Sequence, residues 1–349
     1  MCGENFRAME EIEKQATAPR YILCLSEFCE LTHQTKEAFF SILDEGNKGS
    51  SGPLVPLPGN RAAIPFDLVR TLLKKKGIDY LFRKIAFVNM KGGVGKTISC
   101  ITAASRAVQY GFKTCILDMD SQASASLAFD KMPDEDDPIF LDVWQKPAET
   151  VMPALRSIDE NFFILPSSLE NGLLDFNLMN PRSQKEAVWG VCEELRKNGF
   201  DLVMIDCPPS LGTAVISSIC AADTVLIPTG NDAFSFKGLE LTISEVSSIC
   251  STFQMEQPEV RILHTRFDKR LKLSLHAEER LRQLYKSLVI PVPIRTSSEF
   301  SKALEKKETV FSGTRKSFAR EDYDTCVRSL LGLNSVFVKE KGREPDHGG

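Results

Sequence analysis

The stretch KIAFVNMKGGVGKTISCITAASRAV, beginning at residue 84, restricts the fold of this chain more than any other segment. A short, continuously apolar segment (84–88) enters a glycine-rich turn, and an apolar-periodic helix leaves it near Thr97. Strand, glycine turn and helix in that order are the context of a phosphate-binding loop. Gly92, Gly93 and Gly95 let the backbone turn tightly and bring its N–H groups to phosphate oxygens without a Cβ clash. The helix N-terminus behind them favours an anion. Lys96 is spaced to reach the β- and γ-phosphates, and Thr97 to give a hydroxyl to Mg2+. Val94 and Ile98 complete the cradle. The usual pattern is G-x-x-x-x-G-K-[ST]; here Met90 holds the first position and a second lysine, Lys91, lies inside the loop.

Five further apolar runs follow the same grammar: TCILD (114–118), FFILP (162–166), DLVMID (201–206), TVLIP (224–228) and VRILH (260–264). Continuous apolarity, rather than alternation, suits strands covered on both faces. Helical segments are expected between them, at 97–110, 184–198, 235–252 and 274–287. Alternation of this kind predicts an α/β fold with a doubly wound, mostly parallel sheet. Two of the runs end in carboxylates. Asp118 and Asp120 are two apart, so on an extended backbone they share a face at the strand's C-terminal edge, where parallel sheets bind ligands. Asp206 closes a third run, LVMIDCPPSLG.

Before residue 84 the character differs. Residues 1–20 are polar and are expected to fray. Residues 21–43 carry an apolar face at helical spacing (Leu25, Phe28, Cys29, Thr32, Phe39, Phe40, Leu43), with Ser26 and Thr32 or Thr35 as candidate caps. Residues 44–60 are rich in Gly, Pro and Ser and read as a linker. IPFDLVRTLLKKK (64–76) reads as a short helix. Residues 21–83 are therefore expected to form a small all-α domain with a linker, 84–333 the α/β domain, and 334–349 a polar tail. No apolar run approaches a membrane span, and the N-terminus lacks an apolar signal core, so a cytoplasmic chain is expected. The ten cysteines are scattered, with no C-x-x-C, which implies reduced thiols rather than a structural metal.

KGGVGKT resembles the deviant Walker A loop of the ParA/MinD ATPases. The resemblance extends from about residue 84 to 332. ILDMDSQ is similar to that family's D-x-D-P-Q, with Ser121 in place of Pro; LVMIDCPPSLG to its Walker B strand and loop; AADTVLIP to a segment of the same sequence; and HTRFDKR to its R-[FY]-D-x-R entry, with Thr265-Arg266 standing for an Asn-Arg pair. The resemblance implies a P-loop ATPase that binds ATP and Mg2+. It implies that Lys91 reaches across a homodimer to the partner's phosphates, that Asp120 positions the attacking water, and that Thr97, Asp118 and Asp206 serve the metal. Lys91, Lys96 and Asp120 are then the catalytic set.

The tail 334–349 is polar and interrupted by Gly342 and Pro345, unlike the amphipathic membrane helix of MinD-type relatives. C-x-x-C and a Tyr-rich tail, expected of other relatives, are absent too. A ParA-like partition ATPase remains, with a ParB-like centromere-binding partner and nonspecific DNA as expected ligands. The formal net charge is −4, yet residues 261–286 carry eight cations against three acids, and 302–320 six against two. Local excess of this kind suits a phosphate backbone, and Arg270, Arg295, Lys302, Lys306 and Lys307 are the candidate contacts. LSEFCELTHQTKEAFFSIL resembles a helix-turn-helix, with Gln34, Thr35 and Lys36 opening the second helix, where base edges are read. Operator binding by this unit, or a role in dimerisation or partner docking, are both open. Repression of its own operon and positioning of a protein cluster are the alternative functions. The cytoplasmic chain would then be nucleoid-associated.

Overall fold

The computed structural model describes residues 19–46, 54–59, 61–334 and 337. Most of the two expected tails lies outside these residues.

The centre is a seven-stranded sheet in the order β10-β9-β4-β8-β5-β7-β6. Its strands are β4 (Arg83–Phe87), β5 (Thr114–Asp118), β6 (Arg156–Asp159), β7 (Phe162–Leu165), β8 (Leu202–Asp206), β9 (Thr224–Thr229) and β10 (Glu259–His264). All neighbours pair in parallel except β6, which runs antiparallel at the edge. Every residue of β5, β8 and β9 is buried, which is why these strands read as unbroken apolar runs. Helices Lys96–Gln109, Pro181–Lys197, Ala233–Thr252 and Lys272–Tyr285 supply the covering layers. From β4 the chain winds one way to β5 and β7; from β8 it winds the other way to β9 and β10. The reversal leaves a crevice at the C-terminal ends of β4 and β8.

The segment before the sheet departs from the expectation of an all-α unit. Helices Leu25–Leu31 and Lys36–Gly46 form, as does Phe66–Lys75, but β1 (Leu23–Cys24), β2 (Val55–Leu57) and β3 (Arg61–Ile64) build a three-stranded antiparallel sheet in the order β1-β3-β2. The unit is a helix-turn-helix followed by a β-hairpin. The hairpin reads as linker because its strands are short and contain Pro56, which an edge strand tolerates. Cys24, not Ser26, occupies the cap of the first helix, whereas Thr35 does cap the second by accepting the Ala38 N–H at 3.2 Å. In the turn, His33 adopts a left-handed φ of 54°, the conformation glycine would take without strain.

This unit does not stand apart from the α/β layers. Tyr21, Phe28, Leu68 and Leu72 belong to the same buried cluster as Phe162, Phe129 and Ile85. Arg106, on the helix that follows the glycine loop, is 1% exposed. It donates to Asp324 at 2.7 Å and pairs with Glu27 of the first helix at 2.9 Å. Removing the guanidinium would take one cation from a largely buried network in which Glu27 keeps Arg320 and Asp324 keeps Arg328. Arg106→Ala is therefore expected to cost about 2–3 kcal/mol of stability. Urea denaturation checks this, and an unchanged midpoint would mean the network does not hold the unit in place.

Candidate nucleotide site

The glycine loop connects β4 to helix Lys96–Gln109 at the crevice. Gly93 and Gly95 take φ of 74° and 92°, where a Cβ would be strained; Gly92 does not. The loop is braced from behind by residues far away in sequence. Asn89 is 1% exposed; its amide donates to the Pro228 carbonyl at 2.7 Å, and its oxygen accepts the Lys91 N–H at 2.8 Å. The Thr265 hydroxyl reaches the Val94 carbonyl at 2.8 Å, so this side chain supports the loop. Val94 is buried, Gly92 and Gly93 are exposed, and Thr97 and Ile98 are half-buried at the start of the helix.

Lys96 is buried, and its ammonium has one protein partner among the described residues, the Lys91 carbonyl at 3.3 Å. Burial pulls its pKa below the ordinary lysine value, against the pull of Asp206. A cation held in this way is poised for an anion. Lys91 points elsewhere. Its ammonium donates to both oxygens of Asp232, at 2.7 and 2.8 Å, and to the Ser235 hydroxyl at 3.0 Å. That contact holds the Asp232 carboxyl far below its usual range. Nothing in the sequence marks Asp232 or Ser235, which lie 141 and 144 positions away.

The carboxylates are less alike than their spacing predicts. Asp118 and Asp206 end adjacent strands in register. Asp118 is 1% exposed and turns inward, where one oxygen accepts the Ser126 N–H at 2.8 Å and the Ser126 hydroxyl at 2.7 Å. Its oxygen is committed to the next helix, so Asp118 does not share an open face with Asp120. β5 ends at Asp118, and the alternation assumed for an extended backbone stops there. Asp120 is half-buried in the following turn and accepts the Gln122 N–H at 3.0 Å. Asp206 is fully buried, and neither of its oxygens has a partner in good hydrogen-bond geometry, although the Thr97 hydroxyl is near enough to favour its charged form. Burial first, then the nearby Asp118, raise its pKa well above the usual carboxylate range; Thr97 and Lys96 act against this. An orphaned buried carboxylate beside a buried lysine and a threonine hydroxyl fits a hydrated divalent cation shared with phosphate. Among the described residues no cluster of three His, Cys, Asp or Glu could hold a metal alone.

Several large apolar side chains are exposed in the segments that follow the strands. Leu169 (77% exposed), Phe176 (74%) and Met179 (73%) follow β7, Leu211 follows β8, and Phe234 (80%) follows β9. All lie in segments leaving the C-terminal ends of parallel strands, on the same side as the glycine loop.

The basic candidates divide. Arg270 is 84% exposed at its side chain but chelates Asp268. Arg295 gives its N–H and guanidinium to Asp322, a residue 1% exposed, and stacks on Phe318 at 4.2 Å. Its fork is occupied, so it braces helix Phe318–Leu330. Lys302 and Lys306 are exposed, and Lys307 donates to the Leu127 carbonyl at 3.1 Å. In the helix-turn-helix, Thr35 and Lys36 are exposed and Gln34 is half-buried. No helix among the described residues is long and apolar enough to cross a membrane.

Residues 82–260, slightly more than half of the chain, match the family described as the AAA domain. The chain is 26% identical over 263 residues to the cell division protein PomZ of Myxococcus xanthus, a match that covers 75% of this chain and 82% of PomZ. It is 25% identical over 252 residues to the chromosome-partitioning ATPase Soj of Treponema pallidum, covering 71% and 97%. Among solved structures, a variant of Cyanothece McdA in complex with ATP shares the fold, with a TM-score of 0.65 at 20% identity over 72% of this chain and 96% of that one.

Proposed function

Because this chain belongs to the AAA domain family, and within it to the ParA/Soj-type P-loop ATPases, we propose that it is an ATP-hydrolysing, dimerising partition or positioning ATPase. The relatives named as PomZ and Soj support that class. The observation that carries the reading is the pair of lysines five positions apart with opposite assignments. Lys96 is sunk into the loop with its charge unspent, and Lys91 is turned away onto Asp232.

Lys96, the loop N–H groups and the helix N-terminus would hold the triphosphate. Thr97 and Asp206 would hold Mg2+, with Asp118 shaping the strand end beside them. The metal, when bound, neutralises charge on the bridging phosphate oxygens. Asp120 would orient the attacking water from the adjacent turn. Lys91 is the residue that would leave Asp232 and cross to a second copy. A cation supplied only on association makes hydrolysis depend on assembly. The exposed apolar side chains Leu169, Phe176, Met179 and Phe234 are the ones such a second copy would cover. In this scheme the ATP-bound homodimer spreads over nonspecific DNA, a ParB-like partner stimulates hydrolysis, and the released subunits reset. The working place is the cytoplasm, at the nucleoid. Lys302 and Lys306 are the preferred DNA contacts; Arg270, Arg295 and Lys307 would have to give up a protein partner first. The cargo is a plasmid, a chromosome or a protein cluster.

Sizing the full chain with a non-cleavable ATP analogue, with ADP and with neither, each with and without random duplex DNA, tests this reading. A dimer with the analogue alone, retained on DNA and released as salt rises, is the expected result. Lys91→Ala should leave analogue binding intact and prevent the dimer. A chain that stays monomeric with the analogue and magnesium would sink the proposal. A second reading, an ATP-responsive repressor, is favoured by the helix-turn-helix with its hairpin and by exposed Thr35 and Lys36. DNA binding that ignores nucleotide and selects one sequence would favour it.

A further inference from the structure

A buried polar chain behind the nucleotide site has no part in the scheme so far. Ser167 lies two residues past β7 and is fully buried. Its hydroxyl donates to the Asp120 carbonyl at 2.8 Å and accepts from the Asn171 amide at 2.7 Å. The Asn171 oxygen accepts the Leu141 N–H at 3.2 Å, which fixes the orientation of that amide. On the other side, the Ser167 N–H donates to the Ser126 hydroxyl at 3.0 Å, and that hydroxyl donates to Asp118 at 2.7 Å. Asn171 is 4% exposed and Ser126 is fully buried.

The Asp120 backbone is thus held from two directions. Its N–H leans on Asp118 at 3.3 Å, and its carbonyl accepts both Ser167 and the Ala123 N–H, the latter at 2.8 Å. The turn it holds is a tight one, because Ala123 sits at a φ of 50°, a left-handed conformation for a residue with a Cβ. A buried hydroxyl that donates at 2.8 Å and accepts at 2.7 Å, with its other acceptor, the Ser168 carbonyl, at 3.5 Å, acts as a strut.

We infer that Ser167 is a positioning residue for Asp120, and that Asn171 is the link through which the neighbouring segment sets that position. Asn171 lies in the short helix Leu169–Leu173, between the exposed Leu169 and Leu173. Displacement of that helix is passed along two hydrogen bonds to the carbonyl of the residue assigned to the attacking water. Docking on the exposed Leu169 and Leu173 and the readiness of Asp120 are then mechanically connected. The inference rests on the proposed ATPase reading, because it gives Asp120 its role.

The test compares Ser167→Ala and Ser167→Thr with the parent in the full chain. Binding of a non-cleavable ATP analogue and magnesium should stay within about two-fold for Ser167→Ala, because none of the Ser167 hydrogen bonds goes to the glycine loop, while single-turnover hydrolysis of preloaded ATP should fall by about ten-fold or more. Ser167→Thr, which keeps the hydroxyl, should restore the rate. Amide hydrogen exchange is the second readout: the N–H groups of Ser121–Ala123 should exchange faster in Ser167→Ala even without nucleotide. Unchanged hydrolysis, or unchanged exchange in that turn, overturns the inference. A parent that binds ATP and never hydrolyses it overturns the functional reading instead, and the exchange measurement still decides whether Ser167 holds the turn.

Discussion

Lys96→Met folds as the parent does and no longer gains thermal stability from ATP and magnesium. Burial lowers the Lys96 pKa, so in the nucleotide-free protein its charge is held at a cost. An unbranched apolar side chain of similar length relieves that cost and leaves the loop backbone in place. The thermal midpoint without nucleotide should therefore equal or exceed that of the parent. With nucleotide the balance reverses, because the ammonium is the buried loop cation that the scheme sets against the phosphates. Deleting one partner of a buried charge pair weakens binding by about 2–5 kcal/mol, or roughly 30-fold or more in Kd. Calorimetric titration with ATP checks the affinity, and scanning fluorimetry checks the fold. Parent-like affinity in this variant would remove the glycine loop from the nucleotide site.

Asp120→Asn should bind ATP, form the dimer and fail to turn over. The amide keeps an oxygen for the Gln122 N–H, which the parent carboxylate accepts at 3.0 Å, so the turn persists. What is lost is the charge that, in the proposed scheme, orients and polarises water. General-base and water-positioning groups contribute about 100- to 10,000-fold, and kcat should fall within that range. A second consequence separates this from misfolding. Asp120 is among the groups that raise the pKa values of Asp118 and Asp206. A carboxyl raised in the folded state binds its proton more tightly there than in the unfolded chain, so stability falls as pH climbs from the unfolded value through the folded one. Neutralising Asp120 lowers both neighbours and should raise the melting temperature near neutral pH in the absence of nucleotide. A variant that melts earlier, or that hydrolyses ATP at the parental rate, would take Asp120 out of the role given to it.

The six strands expected from apolar runs all form, within one or two residues of their expected ends, because each is a buried element whose composition reports its burial directly. The edge strand Arg156–Asp159 left no such mark. It is only partly buried and polar, RSID, so neither apolarity nor alternation signals it. The hairpin before the sheet has no sequence signal for a related reason: Val55–Leu57 is three residues long and gains its structure by pairing with Arg61–Ile64. Arg295 illustrates the limit for charge. Its sequence neighbourhood is basic, yet a carboxylate 27 positions later consumes it.

The order of strand, glycine loop and helix, the placement of Lys96 and Thr97, and the two strands ending in Asp118 and Asp206 were fixed by local sequence, since each depends on residues within one turn of chain. The partners were not. Lys91 rests on Asp232, Thr265 braces Val94, Ser167 props Asp120, and Arg106 grips Glu27 and Asp324, each across at least 47 positions. Hydrogen bonds and ion pairs of that reach depend on where the packed sheet brings distant strand ends together, and only the tertiary structure contains that distance.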